Sequence, residues 1–319
     1  MHWTASRLLY GLVLVILLLA GCDADGQAHD GRTEAERAAL PDSNRQVRAV
    51  CTTGMVAELV RHVGGSHVEV IQLMGAGVDP HLYKVSTGDI FALSSADVIF
   101  YSGLHLEGKM TEVFERMAED KPTVAVTASL DSRRVLRLGQ AADPHVWFDV
   151  ALWSDALASV EQTLAKFDPP HAADYRAGAA AYRKELFELD AWCREHLAGI
   201  PPSRRVLVTA HDAFSYFGRA YELELKSIQG ISTESEAGVR EVNQLVAFIA
   251  ERGVKAVFVE SSVSRRNIEA LVEGCAARGH EVAIGGELYS DAMGESGTPD
   301  GTYVGMVRHN VETIVQALK

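Results

Sequence analysis

The chain has 319 residues, with 43 acidic and 30 basic side chains and a formal net charge of −13. This charge, together with the absence of a block of basic residues, argues against nucleic acid as a partner. A negative surface instead favours cations, although net charge bears on encounter and solubility and not on fold. The length leaves room for two domains or one large domain after an N-terminal leader.

The N-terminus predicts export from the cytoplasm. A short positive region begins at Arg7, residues 8–19 are almost wholly apolar, and the sequence Leu-Ala-Gly-Cys follows, ending at Cys22. Because a membrane span needs about 20 apolar residues, this pattern indicates a signal peptide over residues 1–21. Leu-Ala-Gly-Cys resembles the lipobox of bacterial lipoproteins, which predicts cleavage before Cys22 and a lipid on that cysteine. An ordinary cleaved signal followed by a chance cysteine is the alternative.

The segment after the predicted lipidation site is polar and charged. Residues 22–46 therefore predict a lipidated flexible tether between the membrane and the folded protein. Three cysteines remain beyond it, Cys51, Cys193 and Cys275, and an odd number cannot all form disulfides. Since they lie far apart without CxxC spacing, we expect buried small apolar side chains and not metal ligands.

Short apolar runs alternate with longer helical patterns after residue 46. The patterns predict strands over residues 47–51, 68–73, 98–101, 123–126, 206–209, 256–259 and 281–284. They predict helices over residues 55–63, 86–95, 109–118, 151–165, 172–197, 267–278 and 303–318, with one further helix between His211 and residue 256. This alternation favours parallel sheets flanked by helices.

One predicted helix, over residues 172–197, is long and largely free of helix breakers. Its apolar positions follow i, i+3, i+4 spacing, which is typical of an amphipathic helix, and they include Tyr175, Ala179, Tyr182, Leu186, Leu189 and Cys193. Pairs of prolines precede and follow it. We therefore predict an α/β fold of two lobes, each a parallel sheet flanked by helices, joined by one long helix. The predicted boundaries are an N-terminal lobe over 47–167, the linking helix over 168–200 and a C-terminal lobe over 201–319.

The tripeptide Asp-Pro-His occurs twice, and two further polar clusters follow at residues 209–212 and 289–294. Imidazole and carboxylate are common ligands of zinc and other first-row metals, so these four segments predict one metal site, formed by His81, His145, His211 and Asp291. Ligands collect beyond the carboxyl ends of parallel strands. We therefore expect two histidines from the first lobe to meet His211 and Asp291 from the second in the cleft. Singly, each could be a turn histidine or a capping aspartate.

Other polar residues near these segments have less specific interpretations. Asp79 and Asp143 are predicted as turn residues or as groups that orient the neighbouring loops. Glu260 follows a predicted strand, where it could lie near the cleft or be an ordinary acidic residue at a strand end. Solvated or locally hydrogen-bonded roles are expected for the isolated histidines His62, His67, His105, His171, His196, His280 and His309.

Four runs, GVDPHLYKVSTGDI, DPHVWFD, TAHDAFSYF and GGELYSDAMG, resemble the metal-binding solute-binding lipoproteins of bacterial ABC transporters for zinc and manganese. The similarity extends over nearly all of the chain after about residue 47. It implies metal ligands at His81, His145, His211 and Asp291, and lobes that move little against each other. It also implies Zn²⁺ or Mn²⁺ as transported ligand, a membrane ABC permease as partner, and a monomer anchored by lipid in the periplasm or at the cell surface.

The chain departs from two patterns within that family. Many zinc carriers have a loop rich in histidine and acidic residues after the first ligand. Residues 104–143 of this chain contain a single histidine, His105, and no such cluster. Relatives dedicated to manganese often have glutamate where His211 stands, so the third ligand here is softer. The resemblance therefore leaves the choice between zinc and manganese open.

Enzymatic function is not expected from this pattern. Four protein ligands fill the coordination of zinc, whereas catalytic zinc keeps one position open for water. The sequence has no HExxH, no Gly-rich phosphate loop and no GxSxG motif. A metal-dependent hydrolase and a surface adhesin with a structural metal are the alternatives. Turnover with the metal retained would favour the hydrolase, and metal-dependent stability without release to a permease would favour the adhesin.

Overall fold

The computed structural model describes residues 45–319. The predicted signal peptide, Cys22 and nearly all of the predicted tether therefore lie outside the described residues. Within the described part of the chain, no helix combines the length and apolar composition needed to cross a bilayer.

The first lobe is built on a four-stranded parallel sheet. Its strands are β1 (Val47–Cys51), β2 (Val68–Gln72), β3 (Val98–Tyr101) and β4 (Thr123–Ala125), in the order β2-β1-β3-β4. Its helices are α1 (Gly54–Gly64), α2 (Thr87–Ser95), α3 (Thr111–Ala118), α4 (Val150–Trp153) and α5 (Leu157–Phe167). A short antiparallel hairpin follows the sheet, formed by β5 (Arg137–Leu138) and β6 (Ala141–Ala142). The carboxyl ends of the parallel strands lie at one edge of the sheet.

The long linking helix, α6 (Ala172–Ala198), has 27 residues. Its buried side chains are Tyr175, Ala179, Tyr182, Leu186, Leu189, Cys193 and Leu197, which confirms the spacing predicted from the sequence. This stripe packs on α1 and α5 of the first lobe and continues onto the second. Gly178 permits close approach to α1, because a Cβ built there would lie 2.6 Å from the carbonyl oxygen of His62.

The second lobe contains two parallel strand pairs that lie side by side. Its strands are β7 (Val206–Thr209), β8 (Glu224–Ser227), β9 (Ala256–Glu260) and β10 (Ala283–Leu288), with β7 beside both β8 and β9. Its helices are α7 (Ser215–Tyr221), α8 (Val239–Arg252), α9 (Arg266–Ala277) and α10 (Tyr303–Leu318). The predicted class, two α/β lobes with parallel sheets flanked by helices and joined by one long helix, is confirmed.

Several boundaries differ from the predicted ones. The helix predicted over 151–165 is divided by a 3-10 turn into α4 and α5, and the segment after His211 holds β8 as well as two helices. The last strand, predicted over 281–284, begins at Ala283 and continues through Gly285 and Gly286 to Leu288. These glycines allow α10 to pack against the strand, since a Cβ on Gly286 would lie 2.4 Å from Thr313 Cγ2.

One hydrophobic cluster extends through both lobes, and each lobe also has a smaller cluster of its own. A single cluster of buried side chains includes β1 and α1 of the first lobe, the stripe of α6, and Phe258, Leu288 and Tyr303 of the second. Two buried hydrogen bonds also join the lobes. Trp147 Nε1 donates to Ser290 O at 3.1 Å, and Tyr303 Oη donates to Trp147 O at 2.6 Å. Separating the lobes as rigid bodies would expose this apolar surface, at a cost of about 25 cal/mol per Å². The three cysteines in the described part of the chain are free and buried, as predicted.

Candidate metal centre

The structure brings the four predicted ligands together at the cleft between the lobes. His81 lies in the loop after β2, His145 follows the β5–β6 hairpin, His211 follows β7, and Asp291 follows β10. One potential ligand atom from each lies within 4.8 Å of the others, and this is the sole such group of His, Cys, Asp or Glu among residues 45–319. All four are buried; His81, at 4% exposure, is the most accessible. Three of the segments follow parallel strands, whereas His145 follows an antiparallel hairpin.

Both Asp-Pro-His tripeptides form the same local turn. The backbone N–H of His81 donates to Asp79 Oδ1 at 2.8 Å, and that of His145 donates to Asp143 Oδ1 at 3.0 Å. The intervening proline has no N–H and a fixed φ, so the aspartate accepts from the residue two positions on. The repeated tripeptide thus fixes where each histidine leaves the backbone.

Two of the three imidazoles are oriented by carboxylates on Nδ1. Asp143 Oδ1 lies 2.7 Å from His145 Nδ1, and Glu260 Oε2 lies 2.5 Å from His211 Nδ1. Glu260 also accepts from the backbone N–H groups of Ala210 and His211, at 2.7 and 2.9 Å. A proton held on Nδ1 leaves Nε2 free to bind a metal, and such partners are common around metal-binding histidines. The role of Asp143 as an orienting residue was predicted from the sequence. For Glu260 the sequence did not distinguish a role at the cleft from that of an ordinary acidic residue at a strand end.

The distances between donor atoms suit a small divalent ion. His81 Nε2 lies 3.3 Å from His145 Nε2, and Asp291 oxygens lie 3.4 Å from His145 Nε2 and 3.3 Å from His211 Nε2. A tetrahedron with zinc–nitrogen bonds of about 2.0–2.1 Å has edges of about 3.3–3.4 Å. A fourth contact, His81 Nε2 to Asp291 Oδ2, is longer at 3.9 Å. Both oxygens of Asp291 face the imidazoles, so the carboxylate can offer one or two of them.

Three buried atoms of this cluster have no hydrogen-bond partner: His211 Nε2, Asp291 Oδ1 and Asp291 Oδ2. A buried polar atom left without a partner costs about 1–3 kcal/mol, and more when it is charged. These atoms point at one another instead of at donors elsewhere in the protein. A cation between them would satisfy all three.

The metal-free cluster is strongly coupled electrostatically. Burial would lower the pKa of His145, but Asp143 and Asp291 raise it to about 9. Burial likewise opposes the charged form of His211, but Glu260 and Asp291 hold its pKa well above the usual value. For His81 burial prevails and lowers the pKa to about 4. Burial would raise the pKa of Asp291, yet His211 and His145 hold it well below its usual value.

Two contacts cross the cleft beside His81. Thr233 Oγ1 donates to Asp79 Oδ2 at 2.6 Å, and Lys109 Nζ lies 3.4 Å from Glu234 Oε1. Both partners from the second lobe belong to the loop between β8 and α8. No sequence pattern marks Thr233, because its segment contains neither a candidate ligand nor a hydrophobic periodicity.

The structure places the other described histidines outside this cluster. His67 and His171 stack with ring centroids 3.9 Å apart, and each also meets a carboxylate, Asp174 at 3.1 Å and Asp168 at 2.7 Å. His196 Nδ1 lies 2.8 Å from the carbonyl oxygen of Trp192. These local contacts agree with the hydrogen-bonded roles expected from the sequence, although the pairing of His67 with His171 was not foreseen.

Comparisons with known proteins agree on one family. The family described as "Zinc-uptake complex component A periplasmic" matches residues 49–317. "Manganese-binding lipoprotein MntA" of Bacillus subtilis is 47% identical over 315 residues, 97% of this chain and 99% of that protein. "Zinc-binding protein TroA" of Treponema pallidum is 50% identical over 270 residues, 84% of this chain and 88% of that protein.

A solved structure agrees with the sequence comparisons. The periplasmic zinc-binding protein TroA of Treponema pallidum superposes with a TM-score of 0.84 at 48% identity, covering 86% of this chain and 99% of that chain. The resemblance noted from the sequence is thereby confirmed. The chain belongs to the family of the periplasmic A components of zinc-uptake complexes.

Proposed function

We propose that this protein captures a divalent transition metal, zinc or manganese, between its two lobes and delivers it to an ABC permease. The observation that carries the proposal is the buried convergence of three imidazoles and one carboxylate, with three donor atoms lacking any hydrogen-bond partner. In this proposal His81, His145, His211 and Asp291 are the metal ligands. The names of the related proteins, one for manganese and one for zinc, support cargo binding for this chain as well.

A transport role accounts for the site better than catalysis does. All four donors belong to the protein and are at most 4% exposed, so substrate has little access to a bound ion. Metal hydrolases keep a position open for water. A structural metal in an adhesin would also be buried, but the matched family consists of components of an uptake complex.

The proposed location is outside the cytoplasmic membrane, with the protein attached by a lipid on Cys22. The signal-like N-terminus and the cysteine that follows it support this location, and so does the lipoprotein relative from Bacillus subtilis. Residues 22–46 would then let the folded lobes move along the membrane surface to the permease. The proposed working form is a monomer.

The first prediction tests whether both lobes bind the same ion. His81→Ala and Asp291→Ala remove donors from opposite lobes. Each should weaken zinc binding by about 100-fold or more, since loss of a residue that only hydrogen-bonds to a ligand already weakens binding by about 10–100-fold. Each should also reduce the rise in thermal stability with zinc, which is about 4 kcal/mol when free metal is 1,000 times the dissociation constant. Competition with a chromophoric chelator and thermal melts measure both quantities. His196→Ala is the matched control and should bind one zinc as the parent does. One equivalent bound by His81→Ala at parental affinity would place the site elsewhere.

The second prediction concerns pH. In the metal-free protein the raised pKa values of His145 and His211 keep both protonated at neutral pH, whereas the pKa of about 4 leaves His81 neutral. Zinc must displace the two protons, so affinity should fall on acidification by about two decades per pH unit near neutrality. Calorimetry in buffers of different ionisation enthalpy should report about two protons released per zinc. An affinity that stays level from mildly alkaline to mildly acidic pH would exclude this ligand set.

The third prediction concerns the choice of metal. A site with three imidazole nitrogens should bind zinc more tightly than manganese, since manganese has the lowest affinity in the first-row order unless geometry opposes it. His211→Glu replaces a borderline nitrogen by a hard oxygen, so the zinc preference over manganese should narrow. Competition titrations of both ions against the metal-free parent and the variant measure this ratio. A parent that prefers manganese at equilibrium, or a variant that moves further toward zinc, would show that ligand softness does not govern selection.

A further inference from the structure

One loop of the second lobe reaches across the cleft to the segment that carries His81. This loop, residues 228–238, connects β8 to α8. Its Thr233 is 9% exposed and donates its hydroxyl to Asp79 Oδ2 at 2.6 Å. The next residue, Glu234, pairs with Lys109 across the same gap at 3.4 Å. The two lobes are therefore joined at the cleft by side chains as well as by their common core.

Asp79 connects Thr233 to the metal centre. Its other oxygen, Oδ1, accepts the backbone N–H of His81 at 2.8 Å. The two carboxylate oxygens thus have separate tasks, since one orients the His81 turn and the other holds the opposite lobe. Loss of the Thr233 hydrogen bond would leave Oδ2 of a half-buried carboxylate without its protein donor, so the turn would shift toward water.

His81 is held differently from the other two imidazoles. Carboxylates of the same lobe fix His145 and His211 through Nδ1. Among residues 45–319, Asp291 is the one carboxylate within ion-pair distance of the His81 ring. His81 is also the most exposed of the four, at 4%. In the described part of the chain its ring therefore lacks the carboxylate on Nδ1 that holds His145 and His211.

We propose that Thr233 is a positioning residue for metal exchange: its hydroxyl holds Asp79, and through Asp79 the His81 turn, in the arrangement that closes the site. Release of the metal then begins with rupture of this hydrogen bond and departure of His81. The inference rests on the proposed function. The shared core makes separation of whole lobes costly, so local movement of the His81 turn is the less expensive way to open the cleft.

The neighbouring ion pair has a lesser role. Lys109 and Glu234 are 34% and 53% exposed, and surface pairs of this kind contribute little and are screened by salt. Glu234→Gln should therefore change metal release by less than about threefold. This variant leaves the Thr233 hydroxyl in place and serves as a control for general disturbance of the loop.

The test compares the rate of metal release from the parent protein with the rates from Thr233→Val and Thr233→Ser. Thr233→Val removes the hydroxyl and keeps the shape, whereas Thr233→Ser keeps the hydroxyl. Zinc-loaded protein is mixed with excess chelator in a stopped-flow instrument, and zinc association is followed separately. We expect Thr233→Val to release zinc about tenfold faster or more, the usual range for an outer partner, with association within about twofold of the parent, because affinity changes lie mostly in the dissociation rate. Thr233→Ser should release at the parental rate.

A second buried threonine provides the matched control. Thr127 donates its hydroxyl to Ser102 O at 2.7 Å, and both residues belong to the first lobe. Thr127→Val should lower thermal stability without changing zinc release. If Thr127→Val and Thr233→Val accelerate zinc release equally, the role of Thr233 is only structural.

The outcomes separate this inference from the proposed function. A parent that binds zinc and a Thr233→Val variant that releases it at the parental rate would overturn the positioning role and leave the function intact. Zinc release from Thr233→Ser as fast as from Thr233→Val would also overturn the positioning role. A parent that binds neither zinc nor manganese would overturn both. If Thr233→Val does not fold, Thr233→Ala provides a second variant without the hydroxyl, judged by the same rates.

Discussion

The buried carboxylate of Asp291 is the constraint on which the rest of the site depends. A charge removed from water costs several kcal/mol unless an opposite charge compensates it, and both oxygens of Asp291 lack a hydrogen-bond partner. In the metal-free protein the compensation comes from protons on His145 and His211, whose pKa values are raised. A divalent cation can replace those protons at the same place. Proton and metal thus compete for one compensating role, and Asp143 and Glu260 serve both states by holding Nδ1.

The surrounding fold makes this small site rigid in most directions. The apolar stripe of α6 joins cores that would otherwise belong to separate lobes, and the Trp147 and Tyr303 hydrogen bonds cross between them. His211 and Asp291 follow strands with side chains in this interior, and His145 directly precedes Val146 and Trp147, which are buried in it. The His81 turn instead depends on Asp79 and on a threonine from the opposite lobe. The four donors are therefore held with unequal rigidity. Metal exchange occurs at His81, the donor that is held least firmly.

The sequence predicted the lobes, the linking helix and the four side chains that converge at the cleft, because each leaves a local pattern. Tyr175 to Cys193 repeat at helical spacing, and Asp-Pro-His marks a turn whose geometry is set by its own three residues. The sequence could not predict the strand through Gly285 and Gly286, because those glycines are required by the approach of α10, a contact distant in sequence. The roles of Glu260 and Thr233 depend likewise on partners 49 and 154 residues away.

The central claim is that one ion lies between the lobes on three imidazole nitrogens and the Asp291 carboxylate. The most direct test is a crystal structure of the zinc-loaded protein with anomalous diffraction recorded at the zinc edge. The account predicts a single strong peak within about 2.0–2.2 Å of Nε2 of His81, His145 and His211 and of an Asp291 oxygen. A peak at the stacked pair of His67 and His171, or a cleft ion without His81 among its ligands, would contradict it.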